Sequence, residues 1–246
     1  MLSAGILALA ALVVGALIGA VGVGGILLIP ALVAFADLPI HAASATALLT
    51  FILTGVVSTW LFARRGSIDW PASLTVCAGA LAFSFLGAYV NSRTDAVVLD
   101  RIVGGAIVFA GANVLLSPRW SAAAGHDSLR WRALLAVGAV AGFGSGLTGA
   151  GGPLFSVPLM LALGFAPLMA IGVSQVLQIA SASAGTAANL AFGTIAFGTA
   201  AWILPFELAG VAVGVAIAHR ADVRRLRMVA AWLCIVSGAF ILLRSG

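Results

Sequence analysis

Long apolar runs, each bounded by a few charged or turn-forming residues, dominate this chain and predict membrane-spanning helices. The first run, Ser3 to Phe35, is too long for one upright span of ~20 residues, and Gly22-Val23-Gly24-Gly25 interrupts it. The pattern predicts a helical hairpin, with one arm ending near Val21, a glycine turn, and a second arm from Ile26 to Phe35. A polar turn at Asp37 to His41 follows, then full-length spans at about Ala42–Ala63, Trp70–Val90 and Ala96–Leu116. The same plan then recurs. Arms are predicted at about Ala133–Leu147 and Pro153–Leu163, with Pro153 at a first helical position where its missing N–H costs nothing. After a turn at Gly164 to Pro167, spans follow at about Leu168–Ala191, Gly198–Ala218 and Leu226–Leu243.

The recurrence is in register. Moving 127 positions along, Gly15, Gly19, Gly22, Gly24 and Gly25 land on Gly142, Gly146, Gly149, Gly151 and Gly152. Gly66 and Ile68 match Gly193 and Ile195, Gly87 matches Gly214, and Arg93 and Asp95 match Arg220 and Asp222. Near the ends of the halves, Leu99, Gly111, Leu115 and Leu116 match Leu226, Gly238, Leu242 and Leu243. The chain therefore reads as one transmembrane domain, 1–246, made of two fused repeats at about 1–118 and 129–246. Each matched Asp precedes the last span of its half and is a candidate N-cap.

Composition sharpens this reading. With 63% hydrophobic and 8% charged residues, the surface could not be covered in water, which excludes a soluble domain. A net charge of +5 would suit nucleic acid, but the basic residues are twelve scattered arginines placed near the ends of apolar segments. Their distribution bears on orientation. If every apolar segment crosses, the arginines divide six against six; if each glycine hairpin enters and leaves on one side, they divide nine against three. The second division fits the positive-inside rule. It predicts an all-α integral membrane protein of two inverted repeats, each a glycine-broken hairpin followed by three transmembrane helices, with both termini outside. The apolar N-terminus lacks a positive n-region and its glycines recur mid-chain, so it is expected to remain as structure.

Two hairpins entering from opposite faces would bring Gly22 to Gly25 and Gly149 to Gly152 together near the bilayer centre. Each second arm would point the positive end of its dipole at that centre, and two such ends make an anion site from backbone alone. The alternative for these glycines is close helix packing, preferred for Gly15 and Gly19 and for Gly142 and Gly146. The candidate substrate-binding residues are Gly22, Gly24, Gly25, Gly149, Gly151 and Gly152 in the turns and Ser145 and Thr148 beside the second turn. Thr46, Thr50, Ser174, Gln175 and Gln178 on the following spans complete the set, as neutral donors suited to an oxyanion. Ser44, Thr54, Ser58 and Ser181 belong to the same polar stretches, in which any single hydroxyl can instead serve helix packing. Glu207 is the one carboxylate well inside a predicted span, with Ala80 at the matching position, and is a candidate proton carrier. His41 is read as interfacial. Cys77 and Cys234 read as buried free thiols. No metal-ligand spacing, cofactor motif or catalytic constellation occurs, so an enzyme is not expected.

The duplicated glycine hairpin, the alanine-rich run that follows Pro39, the Gly66-x-Ile turn and the length resemble the TauE/SafE family of sulfite and organosulfonate exporters. The resemblance covers essentially the whole chain. It implies a multi-pass permease of the cell (inner) membrane that exports a sulfur-containing anion such as sulfite, sulfoacetate or a related organosulfonate. Anion uptake, a channel, and a non-conducting membrane assembly subunit stay open as alternatives. Expected partners are the small anionic substrate, the lipid bilayer and, as an option, a second copy in a homodimer; no nucleic acid and no cofactor are expected.

Overall fold

The computed structural model describes residues 2–22, 24–95, 127–163 and 165–220, with scattered positions within 97–112 and 228–243. Every element among the described residues is helical. In the first half these are α1 (Leu2–Val21), a short 3-10 turn (Gly24–Leu27), α2 (Leu28–Phe35), α3 (Ile40–Ala63) and α4 (Trp70–Arg93). In the second they are α5 (Asp127–Thr148), α6 (Pro153–Ala162), α7 (Pro167–Phe192) and α8 (Phe197–Ala218). The last predicted span of each half, together with Asp222, Cys234 and the arginines from 224 onward, lies largely or wholly outside the described residues.

The predicted breaks fall where the sequence placed them, and local chemistry explains the boundaries. Pro39, at φ −62° and ψ 150°, occupies the N-cap of α3, so that helix starts at Ile40 rather than Ala42. Asp69 caps α4, its Oδ1 accepting from the Ala72 N–H at 3.1 Å, with Pro71 in the first turn. One boundary differs in kind. The second arm of the first hairpin begins as the tight turn Gly24–Leu27 and becomes α-helical only at Leu28, whereas Pro153 starts α6 directly.

Among the described residues, five helices are long and apolar enough to cross a membrane, from Ala4–Val21 to Phe197–Ala218. At 1.5 Å per residue, the short α2 and α6 reach only ~12 and ~15 Å, about half the hydrocarbon thickness. Both fold back on the helix before them. Gly24 packs on Val14 and Ile18 of α1, and the Phe155 ring lies against Gly144 of α5. Leu9, Leu74 and Leu190 stand more than 60% exposed on the outside, as lipid-facing residues do and as a water-exposed surface would not tolerate.

Each half lends its first helix to the other. Gly15 and Gly19 of α1 sit on the carbonyls of Glu207 and Val211 in α8, and Gly214 sits on the Ala16 carbonyl. At the equivalent places Gly142 and Gly146 of α5 sit on Ala80 and Ser84 of α4, and Gly87 sits on Phe143. Residue numbers rise together along both pairs, so the helices run parallel. No Cβ fits between backbones this close, which is the physical reason for the glycine spacing. The central pair behaves differently: α3 and α7 run antiparallel, with Leu48 against Gly185, Thr54 against Gln178 and Ser58 against Gln175. These two helices are the equivalent elements of the two halves, and Phe51 and Gln178, 127 positions apart, meet at their crossing.

Candidate functional site

The glycine turns lie inside the protein. Gly22, Gly24, Gly25, Gly149, Gly151 and Gly152 are all buried. Irregular backbone at this depth is tolerated because protein, not lipid, surrounds it. The two turns also make contact. Gly25 lies against the Ala150 carbonyl, and the Phe51 ring packs on both Gly25 and Gly151.

The turns meet side by side rather than tip to tip. Gly22 lies against Pro153 and Val157 and close to Gln175, which Ser58 holds; Gly149 lies against Ser44. Ser44 and Ser58 are 14 residues apart on one straight helix, or ~21 Å. The leading glycines of the two turns thus pass each other, and only Gly25, Ala150 and Gly151 come together at Phe51. Each first arm reaches beyond the central crossing before the chain turns back.

The backbone also separates glycines that the repeat pairs. Gly22 and its equivalent Gly149 both have positive φ, 77° and 69°, a conformation in which a Cβ is strained. Gly151 has φ 83°, and a methyl added there would meet only ordinary contacts. Its equivalent Gly24 is not among the positive-φ residues; it is a glycine because α1 backbone and Leu17 fill the space a Cβ would need. The difference lies in how the second arm starts: Gly24 already belongs to the 3-10 turn Gly24–Leu27, whereas the helix after Gly151 begins only at Pro153.

Around the turns the polar side chains form short cross-links between helices. Gln175 donates to the Ile18 carbonyl at 2.9 Å, and its Oε1 accepts from Ser58 at 2.8 Å. Gln178 donates to the Phe51 carbonyl at 3.1 Å and to Thr54 Oγ1 at 3.0 Å. Ser174 accepts from Ser156 of α6 at 2.8 Å, and Ser145 donates to Ser181 at 3.4 Å. Thr148 donates to the Gly144 carbonyl and accepts from the Ala150 N–H at 3.2 Å, which fastens the second turn to the end of α5. Ser44 donates to the Thr148 carbonyl at 3.3 Å, and Asn91 reaches the Leu147 carbonyl at 2.7 Å while holding His41 at 3.3 Å. The Leu147 and Thr148 carbonyls freed where α5 ends are therefore met by side chains from other helices, and the Ile18 carbonyl near the end of α1 accepts from Gln175 as well as from the Gly22 N–H.

Of the predicted site residues, Gln178, Gly25 and Gly151 meet beside Phe51 at the crossing of α3 and α7; Gly22 and Gln175 lie toward Ser58, Gly149 and Thr148 toward Ser44, Ser145 and Gly152 beside Ser181, and Gly24 against α1. Ser174 faces α6. Thr50 donates to the Ala47 carbonyl within its own helix at 3.0 Å. Thr46 stands apart, accepting from the Ala196 N–H at 3.0 Å in the loop before α8. Two residues that the sequence did not single out matter here. Ser156 ties α6 to α7, and Phe51 lies between the turns; nothing in the sequence separates Phe51 from twelve other phenylalanines. Glu207 is fully buried, with no hydrogen-bond partner on either carboxyl oxygen. A cavity of about 380 Å³ opens between α3 and α8, with a lining that is apolar except for Thr50.

Half-length arms folded back inside a shell of lipid-facing helices, with their turns buried and cross-linked by neutral polar side chains, define a polytopic membrane protein. The chain belongs to the sulfite exporter TauE/SafE family, which matches residues 7–241. It is similar to the probable membrane transporter protein YunE of Bacillus subtilis, 26% identical over 258 aligned positions that span 95% of this chain and 94% of that protein. It is also similar to the probable membrane transporter protein MJ0441 of Methanocaldococcus jannaschii, 27% identical over 180 positions, 66% of this chain and 65% of that protein. No solved structure matches. The protein is a multi-pass membrane transporter and not an enzyme.

Proposed function

We propose that this transporter exports a small sulfur-containing oxyanion, such as sulfite, sulfoacetate or a related organosulfonate, across the inner membrane by alternating access between two inverted repeats. One observation carries the reading: the equivalent helices α3 and α7 cross antiparallel, and the glycine turns of both halves meet at that crossing. A two-fold axis in the membrane plane relates halves of this kind, and such transporters hold their substrate at the repeat interface. The parallel, glycine-lined pairs α1/α8 and α4/α5 supply two similar bodies that can rock about the α3/α7 contact. The substrate class follows from the name of the family, and the neutral donors and short-arm N-termini around Phe51 suit an oxyanion.

The test is counterflow with purified protein in liposomes, offering sulfite, sulfoacetate, other sulfonates and carboxylates to trap labelled substrate. Selective accumulation of a sulfur oxyanion is expected. Equal failure of every anion would overturn the reading.

A further inference from the structure

Glu207 breaks the symmetry of the fold. Its carbonyl receives Gly15 of α1, just as the Ala80 carbonyl receives Gly142 of α5, so at the equivalent crossing an alanine suffices for packing. The Glu207 side chain is 0% exposed, and both of its oxygens lack a hydrogen-bond partner. The Thr50 hydroxyl lies beside the carboxyl but donates to its own helix, at the Ala47 carbonyl. Among the described residues, the elements packed on α8 offer no countercharge. Helix α1, Leu2–Val21, contains no titratable side chain. On and around α3 they are His41, bonded to Asn91 near its start, and Arg64 and Arg65 beyond its end, where Arg65 donates to the Val215 carbonyl. The nearest others on the α8 chain are His219, bonded to Ser67 and the Val215 carbonyl, and Arg220, both past the helix end. An isolated buried carboxyl is costly to keep for packing, and inside a membrane helix it marks ion or proton movement.

Its position also links it to the turns. Thr50, beside Glu207, adjoins Phe51, the residue that lies against Gly25 and Gly151. We propose that Glu207 is the proton site of this transporter and carries one proton across with each anion. The inference rests on the anion-transport reading above. The ionised carboxyl takes a proton from water on one face, forming the O–H bond of the acid; that bond breaks on the other face, releasing the proton and restoring the carboxylate. No electrons move. Anion and proton travel in the same direction, because a bound anion and an ionised Glu207 repel each other: protonation favours anion binding, and a bound anion favours protonation to the same degree.

The experiment uses the full chain in liposomes with a pH dye inside and labelled sulfoacetate, which is fully ionised at neutral pH, as the probe. In the wild type an inward sulfoacetate gradient is expected to acidify the lumen. In Glu207→Gln the proton movement that accompanies sulfoacetate is lost, since an amide takes up no proton in this range, while Glu207→Asp keeps measurable coupling. Unchanged proton movement in Glu207→Gln, or sulfoacetate movement without protons in the wild type, overturns the proposal. If the wild type carries no sulfoacetate, or Glu207→Gln does not insert, infrared spectra of the wild type and Glu207→Asp decide. A titrating carboxyl band that the Asp variant shifts upholds the proton site whatever becomes of the substrate reading; the absence of such a band removes it.

Discussion

Gln178 Nε2 donates to the carbonyl oxygen of Phe51 at 3.1 Å, joining two residues that occupy the same place in the two halves. One half puts an aromatic ring at that place, the other an amide that reaches Thr54 as well. The halves thus share a backbone plan but differ in chemistry at the point where they meet.

Truncating the Phe51 ring tests how far it organises the centre. Phe51→Ala removes the ring from between Gly25 and Gly151 and is expected to destabilise the protein by about 3–5 kcal/mol, the usual cost of a buried Phe. Thermal unfolding in detergent, compared with Phe62→Ala away from the turns, reads the stability term. An additional loss of anion-induced stabilisation in Phe51→Ala alone would mark the turns as the ligand site.

The cross-links to Gln175 predict coupling. Gln175→Leu removes one of two partners from the Ile18 carbonyl, which keeps the Gly22 N–H at 3.0 Å, and from the Ser58 hydroxyl, which keeps the Gly55 carbonyl at 3.2 Å, and should cost about 1–2 kcal/mol for the two lost hydrogen bonds. Ser58→Ala should cost less in the Gln175→Leu background than in the wild type, because the shared hydrogen bond is already gone. Full additivity in a double-mutant cycle would show that the 2.8 Å contact contributes nothing to stability.

Glycines equivalent in sequence are expected to differ in tolerance. Gly151→Ala meets only strain at φ 83° and should lose about 1–2 kcal/mol while staying folded. Gly149→Ala adds to the same strain a clash with Ser44, and Gly24→Ala drives a methyl into the backbone of α1. Both should be markedly less stable than Gly151→Ala. A similar loss for all three in thermal unfolding would contradict the local geometry.

Gly15→Ala and Gly142→Ala should weaken the α1/α8 and α4/α5 pairs alike, since each methyl would meet a carbonyl at an equivalent crossing. If Gly15→Ala is severe and Gly142→Ala is silent, the two pairs are not equivalent in energy. The highest temperature at which each variant still accumulates in the membrane offers a second readout.

Orientation is checked with single cysteines in a background where Cys77 and Cys234 are replaced by Ala. The Ser67 hydroxyl lies 3.2 Å from His219, so the loop after α3 and the end of α8 share one side. Cysteines at Arg64 and Arg220 should react with an impermeant reagent from the cytoplasm only, and a cysteine at Thr94, past the end of α4, from outside only. Labelling of Arg64 and Arg220 positions from opposite sides would sink the two-repeat orientation.

The chain's sequence by itself determined that this is a helical membrane protein, where its helices break, and which residues recur in its two halves. Those properties are local: apolar length selects a span, and glycine and proline punctuate it wherever they stand. The reason for any one glycine was not local. Gly24 and Gly151 look alike along the chain, yet one is required by the backbone of α1 and the other by its own φ, a distinction that exists only once a neighbouring helix fills or leaves the adjacent space. Likewise Ser174, Gln178 and Ser181 form one stripe on a helix, but tertiary packing turns them toward α6, α3 and α5. Phe51 becomes central only because α3 and α7 cross there. A crossing point is set by the summed packing of whole helices, and no residue carries it in its own identity.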